Sequence, residues 1–271
     1  MRLIDIGVNL MNRSFDRDRE QLVLEARKAG VSPLIITGSS EASSRAAADY
    51  AKRFPGELYA TAGVHPHEAK HCNSETLETL TGLAGRKEVI AIGECGLDYN
   101  RDFSPRPVQR MWFIKQIELA EKFSMPLFLH ERDAFDDLYS ILREHRNSVS
   151  RMVIHCFTGT EEALDKYLEL GAFIGITGWI CDERRGSRLK SLVKKIPPDR
   201  LMTETDAPYL IPRDLPRGES GRQSGRNEPK FLPHIAQTIA AALEKETECF
   251  AKESFANALR FFGITRSPIS L

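Results

Sequence analysis

Acidic residues and histidines stand at the ends of several short apolar stretches of this sequence. Glu94 ends the stretch VIAIGE, His130 ends PLFLH, and His155 nearly ends RMVIHC. Glu204 and Asp206 lie two residues apart in TETD, a spacing that places both side chains on one face of a strand. Imidazoles and carboxylates that converge in this way would bind a hard or borderline divalent metal ion. The ion would also remove the cost of burying several acids together.

Each of these residues also has an ordinary structural explanation. His65 follows LYATAGV, and a single histidine after a strand is commonly a hydrogen-bonded rim residue, which applies equally to His155 taken alone. Glu94 could pair with an arginine, and Asp206 could cap a helix, because aspartate is a good N-cap. A metal site accounts for all of these residues at once, so we favour it.

The remaining histidines and one further acid are less informative. His67, His71, His145 and His234 fall in predicted loops or helices, and we interpret them as surface residues. Asp5 lies inside the first predicted strand, where it is either an acid near the strand end or a buried structural group.

Apolar runs that alternate with amphipathic stretches must position the candidate ligands. Strands that alternate with helices pair in parallel through right-handed crossovers. Eight such units in roughly 210 residues are typical of a TIM-like (β/α)8 barrel, whose active site lies where the carboxyl ends of the strands meet. The alternative is an open doubly wound sheet, which needs a glycine-rich nucleotide loop where this chain has DIGVNL. The predicted strands are RLIDIG, PLIITG, LYATAGV, VIAIGE, PLFLH, RMVIHC, AFIGIT and RLMTETD.

The segments between and after the strands complete the expected fold. Gly30 and Gly171 follow helical patterns, as glycines beyond a helix C-terminus do. We expect a single barrel domain over residues 1–271. It includes a long basic loop at 211–229, which is rich in Pro, Gly, Ser and Arg, and C-terminal helices within 230–263 that pack on the barrel.

The charge balance and the cysteines limit the classes of function. The 271 residues include 38 Lys and Arg and 38 Asp and Glu, so the protein lacks an overall basic field, and only a local patch could bind nucleic acid. The five cysteines form no CxxC pair, which favours a reducing compartment. We find no charged-then-apolar leader and no apolar run of about 18 residues. We therefore expect a cytoplasmic protein without a membrane span.

Six motifs, in order along the chain, resemble those of the TatD family of metal-dependent nucleases, and most of all its TatD branch. The resemblance spans residues 2 to 263 and implies a TIM-like barrel of the amidohydrolase-like hydrolase type that cleaves phosphodiester bonds with a divalent metal ion. It also implies a 3′→5′ exonuclease acting on single-stranded DNA and RNA, in DNA repair or degradation. The motifs are AGVHPH, AIGECGLDY, PLFLHERDA, VIHCFTGT, GITGWICDERRG, and TETDAPYL with RNEP.

The resemblance further implies the metal ligands. Much of the family has His-x-His at the end of strand one, where this chain has Gly7 and Asn9. This difference favours one firmly held ion, with a second recruited weakly by the substrate phosphate. Mg2+ behaves in this way, so we expect Mg2+, with Mn2+ or Zn2+ as alternatives. The residues that match the family's ligands are Glu94, His130, His155 and Asp206.

Catalytic roles follow from the same residues as a hypothesis. A metal ion held by these four candidate ligands would polarise a phosphate oxygen and lower the pKa of a bound water from about 16 toward 7. Asp206, or Glu204 beside it, takes the proton of that water. His65 matches a position that lines the family's site and donates a hydrogen bond to the phosphate.

Local cations and one aromatic residue are candidates for binding the substrate. Arg184 and Arg185 follow strand seven, while the loop arginines form either a clamp on phosphates or a solvated basic surface. Trp179 could stack a base or simply pack inside the rim, and Asn9 offers a neutral oxygen. We expect single-stranded DNA or RNA as the substrate and a monomeric protein. The loop arginines are Arg213, Arg217, Arg222 and Arg226.

Two other functions remain open. A small-molecule amidohydrolase that cleaves C–N or ester bonds usually keeps the strand-one histidines and often uses a carboxylated lysine, yet no lysine ends a predicted strand. The second alternative is a non-catalytic nucleic-acid-binding barrel that has lost a pair of ligands. The intact set of other candidate ligands argues against it.

Overall fold

Eight parallel strands form one curved sheet in the computed structural model, which describes residues 1–184, 186–216 and 225–265. Each strand pairs with the next along the chain. Two backbone hydrogen bonds join the carboxyl ends of the first and last strands: Asn9 N donates to Ala207 O, and Asp206 N donates to Gly7 O. The sheet is a nearly closed barrel, which confirms the predicted TIM-like (β/α)8 fold.

Strands and helices alternate along the chain as the sequence predicts. Gly30 and Gly171 have φ angles of 83° and 81°, the left-handed conformation expected just beyond a helix. The strands are β1 (Leu3–Val8), β2 (Val31–Ile36), β3 (Leu58–Ala62), β4 (Val89–Asp98), β5 (Leu127–Arg132), β6 (Met152–Ile154), β7 (Phe173–Ile176) and β8 (Leu201–Thr203). The helices are α1 (Arg19–Lys28), α2 (Glu41–Ala51), α3 (Ser74–Ala84), α4 (Arg106–Phe123), α5 (Phe135–Glu144), α6 (Glu161–Glu169), α7 (Gly186–Leu192), α8 (Leu232–Ala242) and α9 (Thr247–Phe262).

The core has two apolar layers, one inside the barrel and one between the strands and the helices. Ile4 and Ile6 of β1 are buried in a cluster with Phe128 and Met202. Leu3, on the other face of β1, belongs to a larger cluster that includes the buried faces of the helices. Because side chains alternate along a strand, both faces of each barrel strand are buried. This double burial holds the carboxyl ends of the strands at fixed positions around one rim.

The fourth strand extends further than the sequence predicts. We expected it to end at Glu94, but β4 continues to Asp98, which pairs with Arg132 of β5. The polar side chains do not end the strand because the backbone at these positions remains paired with β5. The extension brings a second acid, Asp98, to the same rim as Glu94.

The last two helices pack beside the first and last strands. Asn257 of α9 is only 3% exposed, and its side-chain amide donates to Pro198 O at 2.7 Å and to Leu201 O at 2.9 Å. Residues 217–224 of the predicted loop lie outside the described residues, so the domain assignment for 1–271 stays a prediction. Within the described ranges, every helix is too short or too polar to cross a membrane.

The Asn257→Ala variant should lower the free energy of unfolding by about 1–3 kcal/mol, because two buried carbonyl groups lose their donor. Lys252→Ala, at an exposed position of the same helix, is the control and should change it by less than about 0.5 kcal/mol. Urea denaturation measures both. Equal stability of the two variants would contradict the proposed anchoring of α9.

Candidate active site

A cavity of about 890 Å³ opens at the carboxyl ends of the strands. Five of the six residues predicted to be catalytic or metal-binding line it, and they come from five different strands or the segments that directly follow them. The helix-wrapped barrel brings together side chains that are up to 141 positions apart in the chain. The five residues are His65, Glu94, His130, His155 and Asp206.

The carboxylate of Glu94 lies at the centre of this group. Its Oε1 atom is 3.0 Å from His130 Nδ1, 3.5 Å from His65 Nε2 and 3.6 Å from His155 Nε2. Burial raises the pKa of Glu94, but the neighbouring imidazoles outweigh burial and hold it well below its usual range. Glu94 is therefore an anion that is surrounded by the nitrogen atoms of three imidazole rings.

His65 is a neutral imidazole in this group. Burial lowers the pKa of His65 to about 3. The backbone N–H of His67 donates to His65 Nδ1 at 3.1 Å, so the neutral ring carries its proton on Nε2, the atom that faces Glu94. This tautomer makes His65 a hydrogen-bond donor in the cavity.

Glu204 lies behind His155 and does not line the cavity. It is fully buried, with Oε2 2.7 Å from His155 Nδ1 and Oε1 accepting from Cys156 N at 2.6 Å. Burial lowers the pKa of His155, but the contacts with Glu204 outweigh it and raise the pKa to about 10. A carboxylate in this place orients the ring and leaves His155 Nε2 directed at Glu94.

The prediction that Glu204 and Asp206 share a strand face is wrong. β8 ends at Thr203, and Asp206 has a φ of 55°, so the strand alternation does not extend to these residues. Asp206 turns into the cavity, where its Oδ1 accepts from Asn9 Nδ2 at 2.8 Å. Burial raises the pKa of Asp206 to about 7 against the opposing effect of His155.

Gly7, at the place of a family histidine, faces the Glu204 carboxylate. A Cβ atom on Gly7 would lie 2.5 Å from Glu204 Oε2 and 3.0 Å from the Phe128 ring. A Cβ on Gly175 would lie 2.5 Å from Glu204 Oε1. Glu204 thus occupies the space that a side chain at position 7 would need, and the two glycines make room for it.

The donor set of the cavity fits a divalent metal ion. His65, Glu94 and His130 form one group of possible ligands, and a second group contains His155 and Asp206; within each group the donor atoms lie within 4.8 Å of one another. Glu94 connects the two groups through its contact with His155. His130 Nε2 is buried without a hydrogen-bond partner among the described residues. Imidazoles with carboxylates are suitable ligands for Mn2+, Zn2+ or Mg2+.

His67 and Asp98 are site residues that the sequence reasoning missed. His67 is not a surface residue as predicted, because its Nε2 lies 2.6 Å from Asp98 Oδ2 and it lines the cavity. Asp98 is buried, with Oδ2 3.5 Å from His130 Nε2. The signal was present: Asp98 is four residues beyond Glu94 on an extended strand, and His67 is two beyond His65.

The predicted substrate-binding residues divide into those at the cavity and those away from it. Asn9 and the half-buried Trp179 line the cavity. Arg184 is exposed and does not line it. Arg185, together with Arg217 and Arg222, lies outside the described residues. The arginines that do line the cavity are Arg101 and Arg132, which sequence reasoning did not single out.

Arg226 is held against α1 and does not reach the cavity, contrary to its predicted role. Its guanidinium pairs with Asp18 and, at 3.3 Å, with Glu228. Asp214 lies near the start of the same 211–229 segment, and its Oδ1 is 2.6 Å from Nε2 of His234 in α8. His234, predicted to be a surface residue, therefore holds this part of the segment. Both described ends of the 211–229 segment are therefore anchored by ion pairs.

Asp5 is a buried structural acid. It is fully buried and accepts hydrogen bonds from the backbone N–H and the hydroxyl of Thr205. These bonds fix the segment between β8 and Asp206. Burial raises the pKa of Asp5 to about 7.

Several known proteins that this chain resembles carry the TatD name. The model of the family described as TatD related DNase matches residues 4–263. The 3′-5′ ssDNA/RNA exonuclease TatD of Erwinia billingiae (strain Eb661) is 49% identical over 261 residues, which are 96% of this chain and 98% of that protein. The crystal structure of YJJV, a TatD homologue from Escherichia coli K12, has a TM-score of 0.88 at 26% identity and covers 97% of this chain and 99% of its own. A TatD family hydrolase from Entamoeba histolytica has a TM-score of 0.85 at 27% identity, with 98% and 99% covered.

The Gly7→Ala variant should lower the free energy of unfolding by about 1–3 kcal/mol, because its methyl group would overlap the Glu204 carboxylate. Gly82→Ala, in α3 with open space around the added atom, should leave stability unchanged or raise it slightly. In a Glu204→Ala background the cost of Gly7→Ala should largely disappear. Additive effects in this double-mutant cycle, measured by denaturation, would refute the steric coupling.

The Asp5 carboxyl should make the free energy of unfolding decrease as the pH rises. Because its pKa is raised in the folded state, the folded protein binds the proton more tightly than the unfolded chain does. This stabilisation is complete below about pH 4 and is lost as the pH rises through about 7, at up to about 1.4 kcal/mol per pH unit. Denaturation of Asp5→Asn between pH 5 and 8 should show a shallower slope than the native protein, because the contribution of this carboxyl is removed while that of Asp206 remains. Asp165→Asn, at an exposed position, should retain the native slope; the same slope in both variants would contradict the assignment.

Proposed function

The chain belongs to the family of TatD-related DNases and is a metal-dependent nuclease, and we propose that it removes nucleotides from the 3′ end of single-stranded DNA and RNA. The observation that carries the proposal is the Glu94 carboxylate, which three imidazoles surround at the base of an open rim cavity. The 49% identical relative from Erwinia billingiae is named a 3′-5′ ssDNA/RNA exonuclease, which supports the substrate and the direction of cleavage.

Glu94, His130 and His155 would hold the metal ion, with Asp206 close enough to serve as a fourth ligand. The ion, Mg2+ in our proposal with Mn2+ or Zn2+ as alternatives, would withdraw charge from a phosphate oxygen and lower the pKa of a bound water. Glu204 supports this site indirectly by fixing the orientation of the His155 ring. Asp98 Oδ2 lies 3.5 Å from His130 Nε2, on the other side of the ring from Glu94, and adds a nearby negative charge without a hydrogen bond.

The chain's own residues supply the proton transfers and the charge complementarity. Asp206 is the proposed proton acceptor for the attacking water, because its carboxylate lines the cavity beside His155 and Glu94. Asn9 holds its orientation. His65 keeps its proton on Nε2 and donates to a phosphate oxygen at the cavity. Arg101 and Arg132, which line the cavity, offset the negative charge of the strand.

We further propose a cytoplasmic monomer that acts in DNA repair or degradation. The five free cysteines support a reducing compartment. One chain supplies every residue named in the proposed mechanism, which supports a monomer. Trp179 is a half-buried part of the cavity wall that can contact the substrate.

The decisive experiment is cleavage of a 5′-labelled single-stranded oligonucleotide with Mg2+, Mn2+, Zn2+ or EDTA. The native protein should give a ladder that shortens from the 3′ end with metal and no products in EDTA. Glu94→Gln should lower the rate on the order of a thousandfold, because the central anion is lost. Glu118→Gln, on the exposed face of α4, is the matched control and should cleave normally.

Four results would contradict all or part of the proposal. Cleavage that continues in EDTA would exclude a metal-dependent reaction, and near-normal activity of Glu94→Gln would exclude the central role of this carboxylate. No cleavage with any metal would favour a small-molecule hydrolase or a non-catalytic barrel. Shortening from the 5′ end would contradict only the proposed direction of cleavage.

A further inference from the structure

Two exposed aromatic rings stand at the cavity. Phe103 is 52% exposed and Tyr209 is 53% exposed. They are the only large hydrophobic residues among the described ones that are exposed and also line the cavity. Single exposed hydrophobic residues are common on protein surfaces, but two aromatic rings that line the same cavity both offer flat apolar faces to a ligand there. Their location therefore points to a ligand with flat apolar faces.

The two rings stand on opposite sides of the rim. Phe103 lies in the loop that follows β4, and Tyr209 lies in the segment that follows β8. In an eight-stranded barrel with strands in sequence order, β4 and β8 are four strands apart and face each other across the axis. The Glu94 carboxylate and the Asp206 carboxylate line the same cavity between them.

Each ring is held by contacts that leave much of its surface exposed. The Phe103 ring meets the His67 ring edge to face, with centroids 4.7 Å apart, and the Arg101 guanidinium lies 5.9 Å from its centroid. The Tyr209 hydroxyl accepts a hydrogen bond from Asn12 Nδ2 at 3.1 Å, and its backbone N–H donates to the carbonyl of Asp206 at 3.0 Å. Both rings are thus fixed to site residues or close neighbours of them.

We propose that Phe103 and Tyr209 are nucleobase-stacking residues that hold the two bases on either side of the scissile phosphate. This inference rests on the proposed function and deepens it, because it explains why a single strand is the substrate. Bases in a duplex are already stacked on their neighbours, whereas those of a single strand are free to stack on protein rings. Stacking is tolerant of sequence, because every base has an aromatic face, and contributes about 5- to 150-fold in affinity per base.

The test combines ring removal with base removal. Phe103→Leu and Tyr209→Leu keep an apolar side chain but remove the aromatic ring. Phe103→Tyr is the conservative variant that keeps an aromatic ring at position 103. The substrates are a labelled single-stranded oligonucleotide and two versions in which the terminal or the penultimate 3′ residue lacks its base. Met111→Leu, at a 46% exposed position of α4 outside the cavity, is the control.

Each leucine variant should raise KM for the ordinary oligonucleotide about tenfold, with a much smaller effect on kcat, and Phe103→Tyr should restore KM. Removing the base that a given ring stacks should raise KM of the native protein similarly. Ring removal and base removal together should cost little more than either alone, because both abolish the same contact. Additive losses, or a KM of the leucine variants equal to that of Met111→Leu, would overturn the proposal.

Fluorescence anisotropy of the same labelled oligonucleotides in EDTA separates this inference from the proposed function. If the native protein binds but cleaves nothing with any metal, the nuclease proposal fails, while the same non-additive pattern in Kd would uphold base stacking. If the native protein neither binds nor cleaves the oligonucleotides, both proposals fail. If the protein cleaves the oligonucleotides but the variants do not differ in KM or Kd, only the proposal that Phe103 and Tyr209 stack on bases fails.

Discussion

The burial of negative charge at one rim of the barrel is the constraint on which the site depends. Glu94 and Asp98 are both nearly inaccessible to water, and a buried carboxylate is unfavourable unless positive charge or hydrogen bonds compensate it. Here the compensation comes from histidines, with His130 lying between the two acids. The same arrangement, with its converging nitrogen and oxygen atoms, is what a divalent cation needs. Electrostatic compensation and metal binding are therefore two aspects of one arrangement.

Glu204 orients His155, and its position accounts for the glycine at position 7 of the first strand. Its carboxylate holds both the His155 ring and the Cys156 backbone from behind. It fits only because Gly7 and Gly175 leave space on either side. A side chain at position 7 and the glutamate at position 204 would compete for one volume in this chain. The glycine in the first strand and the buried glutamate are therefore coupled by packing.

The segments around the cavity contribute different kinds of side chain. β4 with the loop after it contributes Glu94 and the exposed ring of Phe103, and the segment after β8 contributes Asp206 and the exposed ring of Tyr209. The 211–229 segment, by contrast, has its described ends anchored through Asp214 and Arg226. A cavity with acids at its base and rings at its edge suits a flexible ligand with alternating phosphates and bases. Such a ligand can place a phosphate at the centre while its bases reach the sides.

The sequence by itself determined the barrel and the family, and it singled out the candidate ligands Glu94, His130, His155 and Asp206, which line one cavity. Strand periodicity is local, and six ordered motifs are specific enough to identify the family. The sequence did not reveal that Glu204 faces away from the cavity, that His67 and Asp98 belong to it, or that Arg226 is paired elsewhere. These outcomes depend on where β4 and β8 end and on which distant side chain occupies a shared space. Such choices are made by packing between residues far apart in the chain, so only the tertiary structure decides them.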